Sequence, residues 1–202
     1  MKLAVLVMMS ILMSGVVFAA QGESAVSTTS AKVVKLQKDC ASGNADDCAA
    51  LGLLYLQGRE VERDYLKAVE LLGTACEEGF HGCALLAAMY ETGEGVKQDY
   101  SKAAKFYGQA CGAREAVGCY NLASMYADGQ EGIKQDYSKA AELYGLACHR
   151  GDAKGCFNLG SMYYYGQGVP QGKTDALKYY EEACELNEQS GCDAVAMLNG
   201  AR

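Results

Sequence analysis

The sequence predicts an all-α protein, an α/α solenoid of short helix pairs, each clipped by a disulfide. Three observations carry this. Ten cysteines occur in pairs, Cys40 and Cys48, Cys76 and Cys83, Cys111 and Cys119, Cys148 and Cys156, Cys184 and Cys192. The first of each pair recurs every 35–37 residues, the self-similarity expected of a repeat array. Two helix-period apolar patterns fill each interval and a glycine-rich segment divides them. The chain has one proline in 202 residues, which suits helices better than many short loops.

The first helix of each period begins near the second cysteine. Leu51-Gly52-x-x-Tyr55 returns as Leu86-Ala87-x-x-Tyr90, Leu122-Ala123-x-x-Tyr126 and Leu159-Gly160-x-x-Tyr163. That i, i+1, i+4 spacing marks one face of a helix. Gly93, Gly95, Gly129, Gly132, Gly166 and Gly168 then end it. The second helix begins at an Asp, a residue whose carboxylate accepts from the free amides of a first turn. Asp64-Tyr65-x-Lys67-Ala68 returns as Asp99-Tyr100-Ser101-Lys102-Ala103 and Asp136-Tyr137-Ser138-Lys139-Ala140. The fourth copy is degenerate, with Lys173 in place of the tyrosine and only Asp175-Ala176 echoing the motif. A lone second-type helix near 31–41 opens the array and a lone first-type helix near 191–199 closes it, ten helices in all. The tyrosines, fourteen in number, are expected to pack at the seams between repeats.

The repeat leaves two sensible pairing schemes for the cysteines. In one, cysteines seven or eight apart pair: Cys40 with Cys48, Cys76 with Cys83, Cys111 with Cys119, Cys148 with Cys156, Cys184 with Cys192. Each bridge would clip the end of one helix to the start of the next. In the other, cysteines 28–29 apart pair, such as Cys48 with Cys76, which strands Cys40 and Cys192. The short scheme uses all ten and is favoured. Absence of Cys-x-x-Cys makes redox catalysis the poorer role.

Residues 1–20 have the build of a secretory signal peptide: Met1-Lys2, a mostly apolar stretch from Leu3 to Val17, and small residues ending at Ala19 or Ala20. No lipid-anchor cysteine stands there, and no stable membrane anchor is expected after cleavage. Residues 21–30 are small and polar and are expected to be a disordered linker, leaving 31–199 as the solenoid. An export signal and ten cysteines support each other and predict a secreted or periplasmic protein. Hydrophobic residues are 50% of the chain and charged ones 21%, enough to fold; the net charge of −7 and lack of any basic block argue against nucleic acid.

The chemistry of a site is scarcer. No Ser-x-x-Lys occurs, and the nearest string, Thr29-Ser-Ala-Lys32, lies at the linker. Only His81 and His149 exist; they fall in different turns and read as solvated turn residues, so neither a metal nor a cofactor is expected. The paired glycines follow no strand and do not form a phosphate cradle. No catalytic set is identified.

The unit resembles the Sel1-like repeat, a relative of the tetratricopeptide repeat. Its marks are Leu-Ala/Gly-x-x-Tyr, the GxG loop, Asp-Tyr-x-Lys-Ala and Gly-x-x-x-Gly-Cys. With its cysteine pairs the chain resembles the Helicobacter cysteine-rich protein family over about residues 31–199. Departures are the inserted residue in Asp128-Gly-Gln-Glu-Gly132, Lys173, and the irregular stretch at Pro170 and Gly172.

The resemblance implies a secreted scaffold that binds a peptide, a host protein or a cell-wall fragment on its concave face. It also implies β-lactam (penicillin) binding, with slow β-lactamase action as the alternative; a structural role in the periplasm is a third reading. In related tetratricopeptide proteins an asparagine just before the Leu-Gly pair grips ligand backbone, and here that position holds Asn121 and Asn158. An amide supplies donor and acceptor together. The same register adds His81, Tyr120, Ser124, Phe157, Ser161 and Tyr164 as groove candidates. The capped ends predict a monomer.

Overall fold

A computed structural model of the chain describes residues 30–79 and 82–200. The expected signal segment, the linker up to residue 29, and His81 lie outside the described residues. Among those described there are ten α-helices: α1 (Ala31–Ala41), α2 (Ala45–Gln57), α3 (Tyr65–Gly79), α4 (Cys83–Thr92), α5 (Tyr100–Gly112), α6 (Ala116–Asp128), α7 (Tyr137–His149), α8 (Ala153–Tyr165), α9 (Lys173–Glu185) and α10 (Gln189–Gly200). Each helix packs mainly on its chain neighbours, and α4 also touches α6. This is the near-neighbour contact pattern of a solenoid.

The helices begin where the sequence supplies a cap. Asp64, Asp99 and Asp136 accept from the amides of Lys67, Lys102 and Lys139 at 3.0, 2.9 and 3.0 Å. Asn44 and Asp152 do the same for α2 and α8. The degenerate fourth copy starts at Gly172 with no side-chain cap, so α9 keeps its place through packing of Ala176, Tyr180 and Ala183. Ser30 caps α1 and also bonds Glu60, which pairs with Lys32 at 3.1 Å. Lys32, the lysine of the Thr-Ser-Ala-Lys string, is therefore tied into this contact between α1 and the loop after α2.

Five disulfides follow the short scheme: Cys40–Cys48, Cys76–Cys83, Cys111–Cys119, Cys148–Cys156 and Cys184–Cys192, with Cα–Cα separations of 4.5–4.7 Å. The longer-range alternative, with Cys48 bonded to Cys76, does not occur. Cys48 is instead buried against the end of α1, and Cys76 is buried against the start of α4. None of the ten is left as a free thiol. Each bridge joins the end of an odd helix to the start of the next even one. A closed loop of this length stabilises by about 2–3 kcal/mol in the chain-entropy model. The close approach has a steric requirement. A Cβ on Gly118, one residue before Cys119, would sit 2.6 Å from the Ala110 Cβ and 2.7 Å from the Cys111 amide, so glycine lets α6 start against α5.

At the other end of each pair, the second glycine of the GxG loop packs on the preceding repeat. Gly168, at φ +68°, lies directly on the Tyr137 backbone, where a Cβ would overlap the carbonyl carbon. The inserted residue in the α6–α7 loop loosens the corresponding contact. Gly132 meets only the Ser101 hydroxyl, and a small turn closed by an isolated Gln130–Ile133 bridge takes up the slack.

Tyrosines pack across the seams between repeats, Tyr107 on Leu122 and Met125, Tyr144 on Leu159 and Met162, and rings also pair within repeats. Tyr90–Phe106, Tyr120–Tyr144, Phe157–Tyr180 and Tyr163–Tyr179 all lie between the two helices of one repeat, with centroids 5.5–5.7 Å apart. Near the cystines the seams also hold small residues: Cys111, Cys119 and Ala147 form one buried cluster with Tyr120 against it, and Cys148, Cys156 and Ala183 the next with Phe157 and Tyr179 against it.

Candidate interaction groove

The even helices α6 and α8 carry hydrogen-bonded polar side chains at matching positions. In α6, the Ser124 hydroxyl donates to the Tyr120 carbonyl at 3.2 Å and lies 2.9 Å from the Tyr144 hydroxyl of α7. With the serine hydrogen committed to the carbonyl, the phenol is the donor between them. One repeat later, the Tyr180 hydroxyl donates to Ser161 at 3.1 Å, and Ser161 donates to the Phe157 carbonyl at 3.0 Å. A phenol from α7 and one from α9 thus pass through the core and end among the polar groups of the even helices.

One repeat earlier the arrangement changes. Ala88 stands where Ser124 and Ser161 stand later, and the Tyr107 hydroxyl donates to the Glu91 carboxylate at 2.7 Å. Burial, then the bond to Glu91, pushes the Tyr107 phenol far above its ordinary range. Burial likewise raises Tyr144 and Tyr180. All three phenols are neutral donors at physiological pH.

The candidates taken from the sequence therefore separate into groups. Ser124 and Ser161 are half-buried and hydrogen-bonded to Tyr144 and Tyr180, and Asn158 is half-buried beside them on α8. Phe157 packs on Tyr180, and Tyr164 meets Tyr165 edge-on with centroids 4.9 Å apart. Tyr120 rests against Tyr144. Asn121 is half-buried with no hydrogen bond to another described residue. Tyr120 and Asn121 together line a cleft of about 590 Å³ with Val117, Lys154, Leu186 and Glu188. The sequence pattern missed Val117 and Leu186: neither belongs to the repeated motif, and Leu186 lies in the α9–α10 turn. Solvent exposure of large apolar side chains, which only the fold shows, is what singles them out.

A larger cleft, about 710 Å³, lies at the opposite edge beside the inserted loop, lined by Tyr126, Ile133, Asp136 and Tyr137. Its polar groups are committed to the fold. Lys139 lies 4.3 Å from the Tyr126 ring centroid and donates to that phenol at 2.9 Å, and Asp136 caps α7. The one close group of metal-type ligands among the described residues is Cys148, Cys156 and Glu182, and its two sulfurs form a disulfide, which removes them as thiolate ligands. No described helix is long and apolar enough to cross a membrane.

A stack of disulfide-clipped helix pairs with polar side chains at matching positions on its even helices defines a repeat scaffold of the protein-interaction class. The Sel1 repeat model matches residues 45–80, 81–113, 116–152 and 153–188, and the chain belongs to this family of repeats, whose members mediate protein–protein interactions. Within it, the five cystines and the similarity to Helicobacter pylori cysteine rich protein B make it a cysteine-rich Sel1 repeat protein. That structure is 33% identical, with a TM-score of 0.53 over 67% of this chain and 98% of its own. The protective antigen c5321 of uropathogenic Escherichia coli is 29% identical with a TM-score of 0.78, and a Sel1 repeat protein from Oxalobacter formigenes is 26% identical with a TM-score of 0.75. Each match covers 82% of this chain, which spans 36% and 48% of those longer proteins. The comparison with curated proteins gives no match. Five disulfides and this likeness point to an extracytoplasmic location.

Proposed function

We propose that the protein is a secreted scaffold that holds an extended peptide segment of a partner protein along its even helices. The observation that carries this reading is the set of neutral polar and aromatic side chains on successive even helices: Asn121, Ser124, Asn158, Ser161 and Tyr164, with Tyr120 and Phe157 beside them. Amides and hydroxyls bond to a peptide main chain without reading its sequence, and rigid aromatic rings add contact area at low entropic cost. A host protein or the peptide of a cell-wall fragment presents the same chemistry, and β-lactam binding is a smaller version of it.

A hydrolase has less support. The Ser124 and Ser161 hydroxyls donate to backbone carbonyls, and their other neighbours are phenols held neutral by burial. A serine nucleophile needs a base to take its proton, and no Lys, Arg or His hydrogen-bonds to either serine among the described residues.

The test is hydrogen exchange of oxidised protein with and without a captured partner, run beside nitrocefin turnover. Slowed exchange confined to α4, α6, α8 and α10 supports the scaffold. Slowed exchange on the odd helices instead sinks it. Turnover that survives repurification and is lost in Ser124→Ala or Ser161→Ala replaces it with an enzyme.

A further inference from the structure

The bridges that are buried at both ends differ in the charge beside their sulfurs. Arg150, in the turn after α7, reaches back to the bridge that joins α5 to α6. Its Nη1 donates to the Cys111 carbonyl and lies against the Cys119 sulfur, each at 2.7 Å, and stands 3.7 Å from the Cys111 sulfur. Beside Cys76–Cys83 there is a neutral atom, the Gln109 side-chain oxygen, 3.6 Å from the Cys76 sulfur. Beside Cys148–Cys156 there is an anion, a Glu182 carboxylate oxygen within 4.8 Å of both sulfurs. Ser42, Glu78, Ala113 and Leu186 stand where Arg150 stands in the other repeats, so the arginine is peculiar to this bridge. Arg150 is half-buried, both of its acceptors are neutral, and no carboxylate pairs with it among the described residues. A guanidinium so placed gains most when the sulfur beside it carries a negative charge.

We propose that Cys111–Cys119 is a site of thiol–disulfide exchange with an external dithiol, opened at Cys111 and leaving Cys119 as a thiolate paired with Arg150. Cys111 keeps 6% of its surface exposed and Cys119 none, so attack falls on Cys111. A thiolate of the dithiol bonds to the Cys111 sulfur, the S–S bond breaks, and Cys119 leaves with the bonding pair. The second thiol of the reductant then attacks the reductant's own sulfur in the mixed disulfide, and its proton passes to the released Cys111. The dithiol ends as a cyclic disulfide, and its electrons have reduced the cystine. A sulfur leaves more readily, and its thiolate is more stable, beside a cation. Reduction thus exchanges a covalent clip between α5 and α6 for an ion pair between α6 and the turn after α7. Access decides which bridge opens first in time; the neighbouring charge decides which buried bridge stays open at equilibrium.

The probe is dithiothreitol, its reduced and oxidised forms mixed in varied ratio and equilibrated with the oxidised protein. Acid quench, alkylation and peptide mapping then read each bridge, and the helical signal is recorded at each ratio. Cys111–Cys119 should be half reduced at a reduced-to-oxidised ratio roughly tenfold lower than Cys148–Cys156, about 30 mV, with Cys76–Cys83 between them. Arg150→Gln should bring Cys111–Cys119 level with Cys76–Cys83, and Arg150→Lys, which keeps the charge, should restore part of the gap. Glu182→Gln should ease reduction of Cys148–Cys156 and leave Cys111–Cys119 unchanged. A second measurement needs no variant. Reduced glutathione, a monothiol trapped by acid at the mixed disulfide, should map to Cys111, with Cys119 open to alkylation. Glutathione on Cys119 instead overturns the proposal. So does an unchanged Cys111–Cys119 midpoint in folded Arg150→Gln, or buried bridges that open only together, as the helical signal is lost.

Discussion

The Tyr107 hydroxyl bonds to the Glu91 carboxylate at 2.7 Å, joining the buried face of α5 to the last turn of α4. The bond satisfies a phenol that passes through the core, and it keeps that phenol from the next repeat. Glu91→Ala leaves the hydroxyl without its acceptor and should cost about 1–3 kcal/mol, read as a lower midpoint in denaturant. Glu91→Gln keeps an acceptor and should lose less. Equal losses in the two variants would assign the effect to packing.

The cystines should be reduced in a defined order. Cys184 and Cys192, in the bridge between α9 and α10, are both only partly buried. The Cys76–Cys83 bridge is buried at both ends. The Cys111–Cys119 bridge is buried beneath the next repeat, and Arg150 bonds the Cys111 carbonyl and the Cys119 sulfur, each at 2.7 Å. Limiting thiol reductant followed by alkylation and peptide mapping should label Cys184 and Cys192 before Cys76, Cys83, Cys111 or Cys119. Reductant needs access to sulfur, so early labelling of Cys76 or Cys111 would mean that the repeats separate before reduction.

Arg114 holds a left-handed conformation, φ +69°, three residues after Cys111. Gly43 and Gly151 occupy the same place after Cys40 and Cys148, and Asn187 stands there after Cys184, a residue type that tolerates this region. Arg114→Gly should relieve strain of about 1 kcal/mol, less the extra entropy of an unfolded glycine. The expected result is a small rise in thermal midpoint, and a clear fall would show that the arginine side chain holds a contact of greater worth.

Alkaline pH should destabilise the protein in a way traceable to three phenols. Tyr107, Tyr144 and Tyr180 have folded values raised above the ordinary 10.0, burial being the first cause in each. Both states hold these protons below pH 10, so the stabilisation is complete there. Above it the unfolded chain releases protons that the folded one retains, and stability falls as pH rises towards the folded values. Tyrosinate absorbance should therefore show a fraction of the fourteen tyrosines ionising only as the helical signal is lost. Ionisation of every tyrosine before that loss would contradict the burial.

Acid should act on the other side. Asp64 is held below its ordinary 3.8 chiefly by the Lys67 amide, and Glu60 below 4.5 by bonds from Ser30 and Lys32. A depressed folded value contributes stability above the unfolded value that is lost as pH falls through the folded one. The thermal midpoint of wild type should therefore drop below about pH 4.5, and part of that drop should vanish in Glu60→Gln.

The sequence by itself determined the repeat and its helix pairs and favoured the short cystine pairing, which the fold then decided. The repeat rests on short-range physics: capping by Asp64, Asp99 and Asp136, and the apolar face of Leu122, Ala123 and Tyr126. A period of 35–37 residues repeats those local choices along the chain. The groove positions were legible only as a register along the even helices. Tertiary structure decided what each of those residues does. Tyr107 and Tyr144 stand in the same motif position, yet one bonds to the Glu91 carboxylate and the other to the Ser124 hydroxyl, because Ala88 stands where Ser124 stands one repeat later. Val117 and Leu186 lie 69 residues apart and share a cleft because the stacked repeats bring α6 beside the α9–α10 turn. A hydrogen-bond choice between packed helices and the meeting of distant turns have no signature in any local window of sequence.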